Sequence, residues 1–330
     1  MKTLNGKRVL FIAPKFFGYE LEIQQEIERR GAIVDFLPDR PFDDPLKTAI
    51  TRFSPQLIQP FINRLYHKQL NLFGSSNYDI ILTINGQTIT PQFLSMLKMS
   101  FPQAKFVLYM WDSMNNRPRI AKNLHFYDDV YCFDPESAKN FGMKIRPTFF
   151  TPGFQSPIKL SYDYQLSFIG TMHSDRYEII NKIRAKVPKN IKSYWHLYLQ
   201  APWVFKAYKV MKPAMRNAPI ENFKFKPLEK LKVQQIFSNS KAIIDIEHPK
   251  QNGLTMRAFE AMGSNKKLIT TNHNIKTYDF FREENICVVD RKDPNISLDF
   301  LETQYFPTSA ELYYKYSLAG WLDEVLSLNG

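Results

Sequence analysis

Residues 242–272 read AIIDIEHPKQNGLTMRAFEAMGSNKKLITTN, and this stretch decides the fold. A β-branched run, a polar loop, a short helical pattern and a second apolar run follow one another, which predicts strand, loop, helix and strand. Within the helical pattern, the apolar positions fall on one face: Leu254, Ala258, Ala261 and Met262. The stretch is therefore predicted to be one βαβ unit.

Two polar residues of this helix, Arg257 and Glu260, lie three positions apart on another face and are not needed for a core. A loop that presents free backbone N–H groups at a helix start, with Arg257 and Lys250 nearby, suits a phosphate or a pyrophosphate. Glu260 would then accept hydrogen bonds from a ribose. The alternative is an ordinary surface pair, worth a few tenths of a kcal/mol.

Composition limits the class of protein. A chain of 330 residues suits two domains or one large α/β domain, and 44% hydrophobic residues, with 27 Phe and 17 Tyr, provide a sizeable core. The 44 Lys and Arg exceed the 32 Asp and Glu, which gives a net charge of +12. An anionic partner is indicated, namely nucleic acid, an acidic membrane face or a phosphorylated small molecule.

The expected compartment is the cytoplasm. Cys132 and Cys287 both lie in apolar, strand-like runs, which is typical of buried thiols in a reducing compartment. The first apolar run, residues 9–13, is cut by Pro14 and is too short for the core of a signal peptide. No run approaches the ~20 apolar residues of a membrane span. The chain is expected to be soluble or peripheral on the inner membrane face.

The pattern along the chain predicts two doubly wound parallel sheets. In the first half, strands are predicted at residues 7–13, 33–37, 78–84, 105–111, 129–133 and 145–149, and a helix at 19–30 that ends before Gly31. Residues 151–157 resemble a linker, rich in Pro and Gly. In the second half, strands are predicted at 165–169 and 286–289, and helices at 176–187, 228–237, 277–282 and 309–328. The last is expected to be one long amphipathic helix.

Ligands of such sheets bind beyond the carboxyl ends of the strands, so two sheets predict ligands in a crevice between the halves. The loops that follow the predicted strands are polar or contain small residues. They include residues 17–20, 85–87, 112–113, 170–173, 247–253 and 270–272.

Several of these segments resemble a known family, the bacterial glycosyltransferases of the GT-B fold. The resemblance rests on residues 167–171, 240–249, 251–260 and 267–272, and in the first half on architecture alone. It is strongest to the enzymes of capsule and lipopolysaccharide assembly that are grouped with spore-maturation-type glycosyltransferases. The resemblance implies two facing Rossmann-like domains: an acceptor domain at 1–153, a nucleotide-sugar domain at 154–308 and a closing helix at 309–330 that crosses back.

The resemblance also implies the donor contacts. Glu260 would bind the ribose, and Arg257, Thr255 and the amides of Gly253 and Leu254 would hold the diphosphate. Further donor-site residues are expected in the same loops: Gly170, Thr171, Arg176, His248, Lys250 and Gln251. No separate cofactor is expected, because the UDP-, dTDP- or GDP-linked sugar is itself a substrate. A surface Arg at a helix start is the alternative for Arg176.

Three residues are candidates for the base that activates the acceptor hydroxyl. Asp112 ends an apolar strand, although Asp is also a common helix N-cap. Glu20 lies early in a helix, where a carboxylate also suits the helix dipole. His248 follows a strand and is either a donor-site contact or a hydrogen-bonded structural residue.

The expected mechanism is inverting and independent of metal. Many retaining GT-B enzymes carry two Glu residues eight positions apart, but the position eight before Glu260 is Asn252. Asp245 and Glu247 lie on one face of a strand, as two metal ligands would. That pattern belongs to the other main glycosyltransferase fold, which the two sheets argue against.

A basic and aromatic segment, residues 182–232, carries Lys206, Lys209, Lys212 and Arg216 among or just after several aromatic residues. It suits an acidic membrane surface or a lipid-linked phosphate, or else a solvated helix. Nucleic acid is disfavoured because no nucleic-acid-binding motif is present. The predicted function is transfer of a sugar to a surface-glycan acceptor. The alternative is a non-catalytic GT-B-like scaffold that binds an anionic glycan or lipid.

Overall fold

The computed structural model describes residues 3–39, 55–74 and 77–328, and only the backbone of residues 55–60. The chain divides into two compact units. Unit 1 comprises Met1–Pro147 together with Leu318–Gly330, and unit 2 comprises Thr148–Ser317.

Unit 1 contains a six-stranded parallel sheet whose strand order is β2-β1-β3-β4-β5-β6. Its strands are β1 (Arg8–Ala13), β2 (Ile33–Pro38), β3 (Ile80–Ile84), β4 (Lys105–Met110), β5 (Asp129–Cys132) and β6 (Lys144–Ile145). Strands β3 and most of β1 and β4 are fully buried, which explains their continuous apolar sequences. This arrangement confirms the doubly wound first half.

Helices connect these strands: α1 (Tyr19–Arg29), α2 (Pro55–Phe73), α3 (Pro91–Ser100), a 3-10 helix (Pro118–Phe126) and α4 (Pro135–Phe141). The caps follow from the sequence, because the Thr90 side chain accepts from Phe93 N and the Asp134 side chain from Ser137 N. The predicted end of α1 is confirmed: Gly31 adopts φ 94° directly after it.

Unit 2 contains a second six-stranded parallel sheet, with the order β12-β11-β10-β7-β8-β9. Its strands are β7 (Tyr164–Thr171), β8 (Ser193–Tyr198), β9 (Phe223–Lys224), β10 (Ser240–Asp245), β11 (Lys267–Thr270) and β12 (Ile286–Val288). Its helices are α5 (Arg176–Lys186), α6 (Pro202–Met211), α7 (Lys230–Ser238), α8 (Met256–Gly263), α9 (Leu298–Glu302) and α10 (Ala310–Lys315). The βαβ unit predicted from residues 242–272 is β10, α8 and β11.

The prediction of one long closing helix over residues 309–328 is wrong. The segment forms α10 and a separate helix, α11 (Leu318–Val325). The break occurs where Phe150 N donates to the Tyr316 carbonyl (3.0 Å) and Phe150 forms a bridge with Ser317. The backbone at Tyr316 therefore pairs with another segment, and α11 belongs to unit 1.

Within unit 1, α11 is held by both packing and charge. The Trp321 ring is fully buried and meets Tyr109 edge-on at 4.8 Å. The buried Arg30 guanidinium forms ion pairs with Asp323 of α11 and with Glu26, and donates to the Ala319 carbonyl. A buried charge of this kind needs each of these partners.

A further helix prediction is wrong, and not every strand was predicted. The helix expected at residues 277–282 is instead a 3-10 helix at His273–Thr277, because the Asn272 side chain accepts from Asn274 N and starts the turn earlier. Strand β8 was not predicted, since its Lys-rich and aromatic surroundings resemble a helix surface more than a sheet.

The stretch expected to be a linker is packed inside unit 2. It forms a 3-10 helix, Pro152–Phe154, and the buried Phe154 ring lies 5.6 Å from Phe237. The Ser264 hydroxyl donates to the Phe154 carbonyl (2.7 Å). Cys132 is buried, Cys287 is half-buried, and both thiols are free. Among the helices that the structure describes, none is long and apolar enough to cross a membrane.

Candidate functional site

Helix α8 starts in unit 2 beyond the carboxyl end of β10. Thr255 is the N-cap residue, yet its side chain makes no capping hydrogen bond. Its hydroxyl donates instead to Asp245 Oδ2 at 2.8 Å. The first amides of the helix therefore lack a side-chain acceptor, and they carry the positive end of the helix dipole. Such a helix start can accept an anion.

Arg257 and Glu260 lie beside this helix start, with Arg257 Nη1 3.2 Å from Glu260 Oε2. Glu260 is only 3% exposed, so the pair is not the surface pair that the sequence left open. The Arg257 guanidinium lies over the Phe237 ring at 4.8 Å. Its buried Nη1 forms the ion pair with Glu260 but makes no hydrogen bond within the described residues. A guanidinium with an unused donor is suited to a phosphate oxygen.

Arg176 holds two loops together and does not point freely outward. Its guanidinium donates to the carbonyls of Thr171 and Ile246, each at 2.8 Å, after β7 and β10 respectively. Burial lowers the pKa of Arg176 to about 10. A Cβ on Gly170 would lie 3.2 Å from Arg176 Nη1 and 2.9 Å from the Phe168 ring, so this position leaves little room for a side chain.

Asp245 and Glu247 are both buried, and each is engaged by a different partner. Burial raises the pKa of Asp245 to about 6, although Arg176 opposes that rise. Glu247 accepts a hydrogen bond of 2.5 Å from Thr271 and forms an ion pair with Arg291. Across residues 3–39, 55–74 and 77–328, no three or more His, Cys, Asp or Glu side chains cluster as metal ligands would.

Arg291 was not predicted as a site residue. Its guanidinium also binds both carboxylate oxygens of Asp175, at 2.7 and 3.0 Å, and donates to the Glu247 carbonyl at 2.7 Å. It therefore joins the loops after β7, β10 and β12. The sequence contained the signal that could have identified it, because Arg291 lies in the loop after β12 just as the other candidates lie in loops after their strands.

Two imidazoles lie next to each other at this edge of the sheet: the ring centroids of His173 and His248 are 5.6 Å apart. Burial, and secondarily the charge of Arg176, lowers the pKa of His173 to about 3, so its ring is neutral at physiological pH. Lys212 donates to the Ser174 carbonyl at 2.7 Å. One member of the basic segment therefore reaches the loop after β7.

The loop between β10 and α8 is ordered by its own polar groups. Lys250 N donates to His248 Nδ1 at 3.2 Å, and the Gln251 side-chain amide donates to the Gly253 carbonyl at 3.0 Å. His248 and Lys250 are exposed, whereas Gly253 and Leu254 are buried. The predicted donor residues of this loop therefore follow one another around a single turn. Of their side chains, those of His248 and Lys250 are exposed.

Asn252 stands eight positions before Glu260, where the retaining motif would have its first Glu. Its backbone carbonyl accepts hydrogen bonds from side-chain amides. Asn274 donates to it at 3.0 Å and Asn272 at 3.5 Å, and Asn272 also donates to the Gly253 carbonyl at 3.3 Å. These bonds fix the loop backbone to the residues that follow β11.

In unit 1, both carboxylates predicted as bases have local partners. Glu20 is buried, and its Oε2 accepts from Phe16 N at 2.9 Å. Asp112 Oδ1 accepts from Asn116 at 2.9 Å, and its Oδ2 lies 3.0 Å from Arg117 Nε. Asp112 Oδ1 also accepts from Ser113 N (3.0 Å), as a turn-initiating Asp would. Each carboxylate oxygen has a second lone pair for a further donor.

The loops of Glu20 and Asp112 meet through aromatic rings that the sequence did not single out, and Trp111 among them is half-buried. Phe16 lies 5.8 Å from Trp111, the residue before Asp112, and 4.7 Å from Phe17. Phe17 is 64% exposed and adopts φ 51°. An exposed apolar surface of this kind marks an interaction site more often than chance.

Comparison with solved structures identifies the fold. Anabaena HepE, crystallised with UDP and glucose, superposes with a TM-score of 0.63 at 13% identity, over 97% of this chain and 98% of that one. A glycosyltransferase from Rickettsia africae gives 0.53 at 13% identity, over 98% and 94%. UDP-GlcNAc 2-epimerase from Methanocaldococcus jannaschii gives 0.52 at 10% identity, over 97% and 98%.

The chain therefore has the α/β, two-domain GT-B fold. No protein-family model matches the sequence, and no curated protein matches it either. Because a glycosyltransferase and an epimerase share this fold, the fold does not determine the reaction. The reaction must be argued from the site.

Proposed function

We propose that this protein is a glycosyltransferase that moves a sugar from a nucleoside-diphosphate sugar to a hydroxyl of a surface-glycan acceptor. One observation carries the proposal: the start of α8, which has no side-chain cap, lies beside Arg257 and the buried Glu260. The Arg257 Nη1 atom pairs with Glu260 but makes no hydrogen bond. These groups supply an anion site and an acceptor for hydroxyl groups within one helical turn.

In this proposal, the diphosphate binds at the start of α8. Arg257 and the backbone amides of Gly253, Leu254 and Thr255 contact its oxygens, since the Thr255 hydroxyl donates to Asp245. The exposed Lys250 adds a second cation. Glu260 accepts hydrogen bonds from the ribose hydroxyls. The co-crystallisation of HepE with UDP and glucose supports a uridine nucleotide as the first donor to test.

Arg176 and Gly170 have a different proposed role. Because the Arg176 guanidinium donates hydrogen bonds to the Thr171 and Ile246 carbonyls, it positions the two loops that surround the nucleotide. Gly170 leaves the space that this guanidinium occupies. His248 and Gln251 shape the outer side of the same loop.

The chemistry requires that negative charge on the departing diphosphate be neutralised, while the anomeric carbon develops positive character. Arg257, Lys250 and the dipole of α8 provide this neutralisation without requiring a metal ion. We further propose inversion at the anomeric carbon, because Asn252 stands where retaining relatives carry a Glu.

Inversion needs a base for the acceptor hydroxyl, and Asp112 is the proposed one. It is half-buried, and its oxygens retain lone pairs beside Asn116 and Arg117. Glu20 is a weaker candidate, since its carboxylate holds the backbone before α1. His248 is the third candidate.

The proposed acceptor is a glycan on a lipid carrier, at the inner face of the membrane. The exposed rings of Phe16 and Phe17, with the half-buried Trp111, offer an apolar surface next to Asp112. In unit 2, α6 exposes Trp203 (71%) and Val210 (83%). Residues 201–220 contain four basic residues and no acidic one, which suits an anionic membrane surface.

A donor panel tests the proposal. UDP-, dTDP- and GDP-linked sugars are incubated with the protein, and release of nucleoside diphosphate is measured with and without lipid-linked glycan acceptors. Glu260→Ala is expected to lower nucleotide affinity at least tenfold with the fold intact. The matched control is Glu178→Ala, an exposed carboxylate of unit 2 that pairs with Lys182. Absence of nucleotide binding by the unmodified protein would reject the proposal.

Two other results would indicate a function other than sugar transfer. Conversion of the donor sugar without any acceptor would indicate an epimerase. Binding of anionic glycan or lipid that is unchanged by Glu260→Ala, with no turnover, would indicate the non-catalytic scaffold.

A further inference from the structure

A cavity lies in unit 2 at the amino-terminal edge of its sheet, away from the carboxyl-end loops described above. It has a volume of about 220 Å³ and is lined by residues around the starts of β7, β10 and β11, together with residues after α9. Three of its lining residues are lysines: Lys159, Lys241 and Lys267. No Asp or Glu lines it.

A fourth lysine lies beside this cavity. Lys266 is 1% exposed, and its Nζ has no hydrogen-bond partner among the described residues. The ammonium group lies 4.5 Å from the centre of the Tyr162 ring, and Tyr162 lines the cavity. Burying an ammonium group that contacts only the face of an aromatic ring costs free energy, unless an anion compensates its charge.

The other three ammonium groups bind only neutral acceptors. Lys159 donates to Asn239 Oδ1 (2.6 Å), Lys241 to the Glu302 carbonyl (2.9 Å) and Lys267 to the Phe300 carbonyl (2.7 Å). In the part of the chain that the structure describes, none of the four has a carboxylate within ion-pair distance. Each ammonium has three N–H groups, so donors remain for a ligand.

The lysines also act on one another. Burial lowers the pKa values of Lys266 and Lys267 to about 8, and the charges of Lys159 and Lys241, respectively, add to this effect. Burial also lowers the pKa of Lys241, and Glu302 opposes that shift. Glu284 opposes the shift at Lys267. Neither Glu lines the cavity. The cluster thus retains an excess of positive charge that like-charge repulsion disfavours.

The two contacts with α9 have a structural explanation, because cations stabilise the carbonyls at a helix end. That explanation covers Lys241 and Lys267 but not the buried Lys266 or the pairing of Lys159 with a side-chain amide. Three lysines that line one cavity, with a fourth against its Tyr162, exceed what capping a five-residue helix requires.

We propose that this lysine cavity binds a small phosphoanion of the size of phosphate or pyrophosphate, separately from the donor site. Its volume corresponds to roughly seven water molecules at about 30 Å³ each. That is enough for a diphosphate group and below the ~300 Å³ at which drug-sized ligands are usually enclosed. The inference does not depend on the proposed function, because binding here requires no sugar transfer.

Isothermal titration of the full chain with pyrophosphate, and separately with inorganic phosphate, tests the proposal at about 0.15 M salt, where weak surface binding is screened. The unmodified protein is expected to bind pyrophosphate saturably. The double variant Lys159→Gln, Lys241→Gln is expected to bind it at least tenfold more weakly. Both side chains contact the cavity, yet neither is among the fully buried residues, so the variant should fold.

Two controls identify the site. The pair Lys182→Gln, Lys186→Gln removes the same charge from α5 and should bind normally. Arg257→Ala should retain pyrophosphate binding at the lysine cavity while weakening UDP binding.

Three results would overturn the proposal. They are no saturable binding, an equal loss in the α5 control pair, or loss in Arg257→Ala with binding kept in the cavity variant. The last result would place the anion at the donor site, and it would leave the proposed function intact.

Discussion

The Thr255 hydroxyl donates a hydrogen bond of 2.8 Å to the buried Asp245 carboxylate, across the loop that joins β10 to α8. This bond has two consequences. It ties the end of β10 to the start of α8, and it leaves that helix without a side-chain cap. The Thr255 hydroxyl therefore fixes the loop to β10. If it capped the helix instead, it would occupy the position proposed for the anion.

Thr255→Val should lower the stability of unit 2. Valine has nearly the same shape but no hydroxyl, so the buried Asp245 oxygen loses a donor, at a cost of about 1–3 kcal/mol. The measurement is the thermal midpoint of the variant beside that of Thr255→Ser, which keeps the donor. Equal midpoints for the two variants would show that the bond contributes nothing.

Stability should also depend on the protonation of Asp245. Its pKa of about 6 in the fold exceeds the usual 3.8, so the folded chain binds this proton more tightly than the unfolded chain. The resulting stability is complete below about pH 4 and is lost as pH rises through 6, by roughly 3 kcal/mol at most. Asp245→Asn does not titrate. The midpoint of the unmodified protein should therefore fall relative to that variant between pH 4 and 7, and a constant difference would contradict this.

His173 should titrate in the opposite sense. Its pKa of about 3 lies below the usual 6.5, so its contribution to stability is present above pH 6.5 and is lost as pH falls toward 3. In NMR spectra, the imidazole signal that His173→Gln removes should not shift between pH 8 and 5. A signal that titrates near pH 6.5 would show that the ring is solvated.

Membrane association should depend on the exposed face of α6. Replacing Trp203 and Val210 by Ser is expected to reduce binding to anionic phosphatidylglycerol vesicles at least tenfold, because two apolar side chains no longer enter the interface. Co-sedimentation measures this effect. Leu231→Ser is the matched control, since Leu231 is equally exposed in unit 2 but lies outside residues 201–220. Similar losses in both proteins would reject a specific surface.

The sequence predicted most of the elements because their signals are local. Apolar runs marked the buried strands of both sheets, and Gly31 marked the end of α1. The exceptions have local causes as well. Strand β8 was hidden by its basic and aromatic surroundings, and helical spacing continued across Tyr316 although the backbone there pairs with Phe150.

The sequence by itself also determined where the candidate site lies, since strand ends collect polar loops whatever the packing. It identified Arg257 and Glu260 as neighbours because i,i+3 spacing fixes their distance. Only the tertiary structure decided that Glu260 is buried and that the Thr255 hydroxyl donates to Asp245. Sheet order decided the longer pairings: Arg176 meets Ile246 across 70 positions, and Arg291 meets Asp175 across 116. Periodicity carries no information about such partners, because they depend on which strands become neighbours.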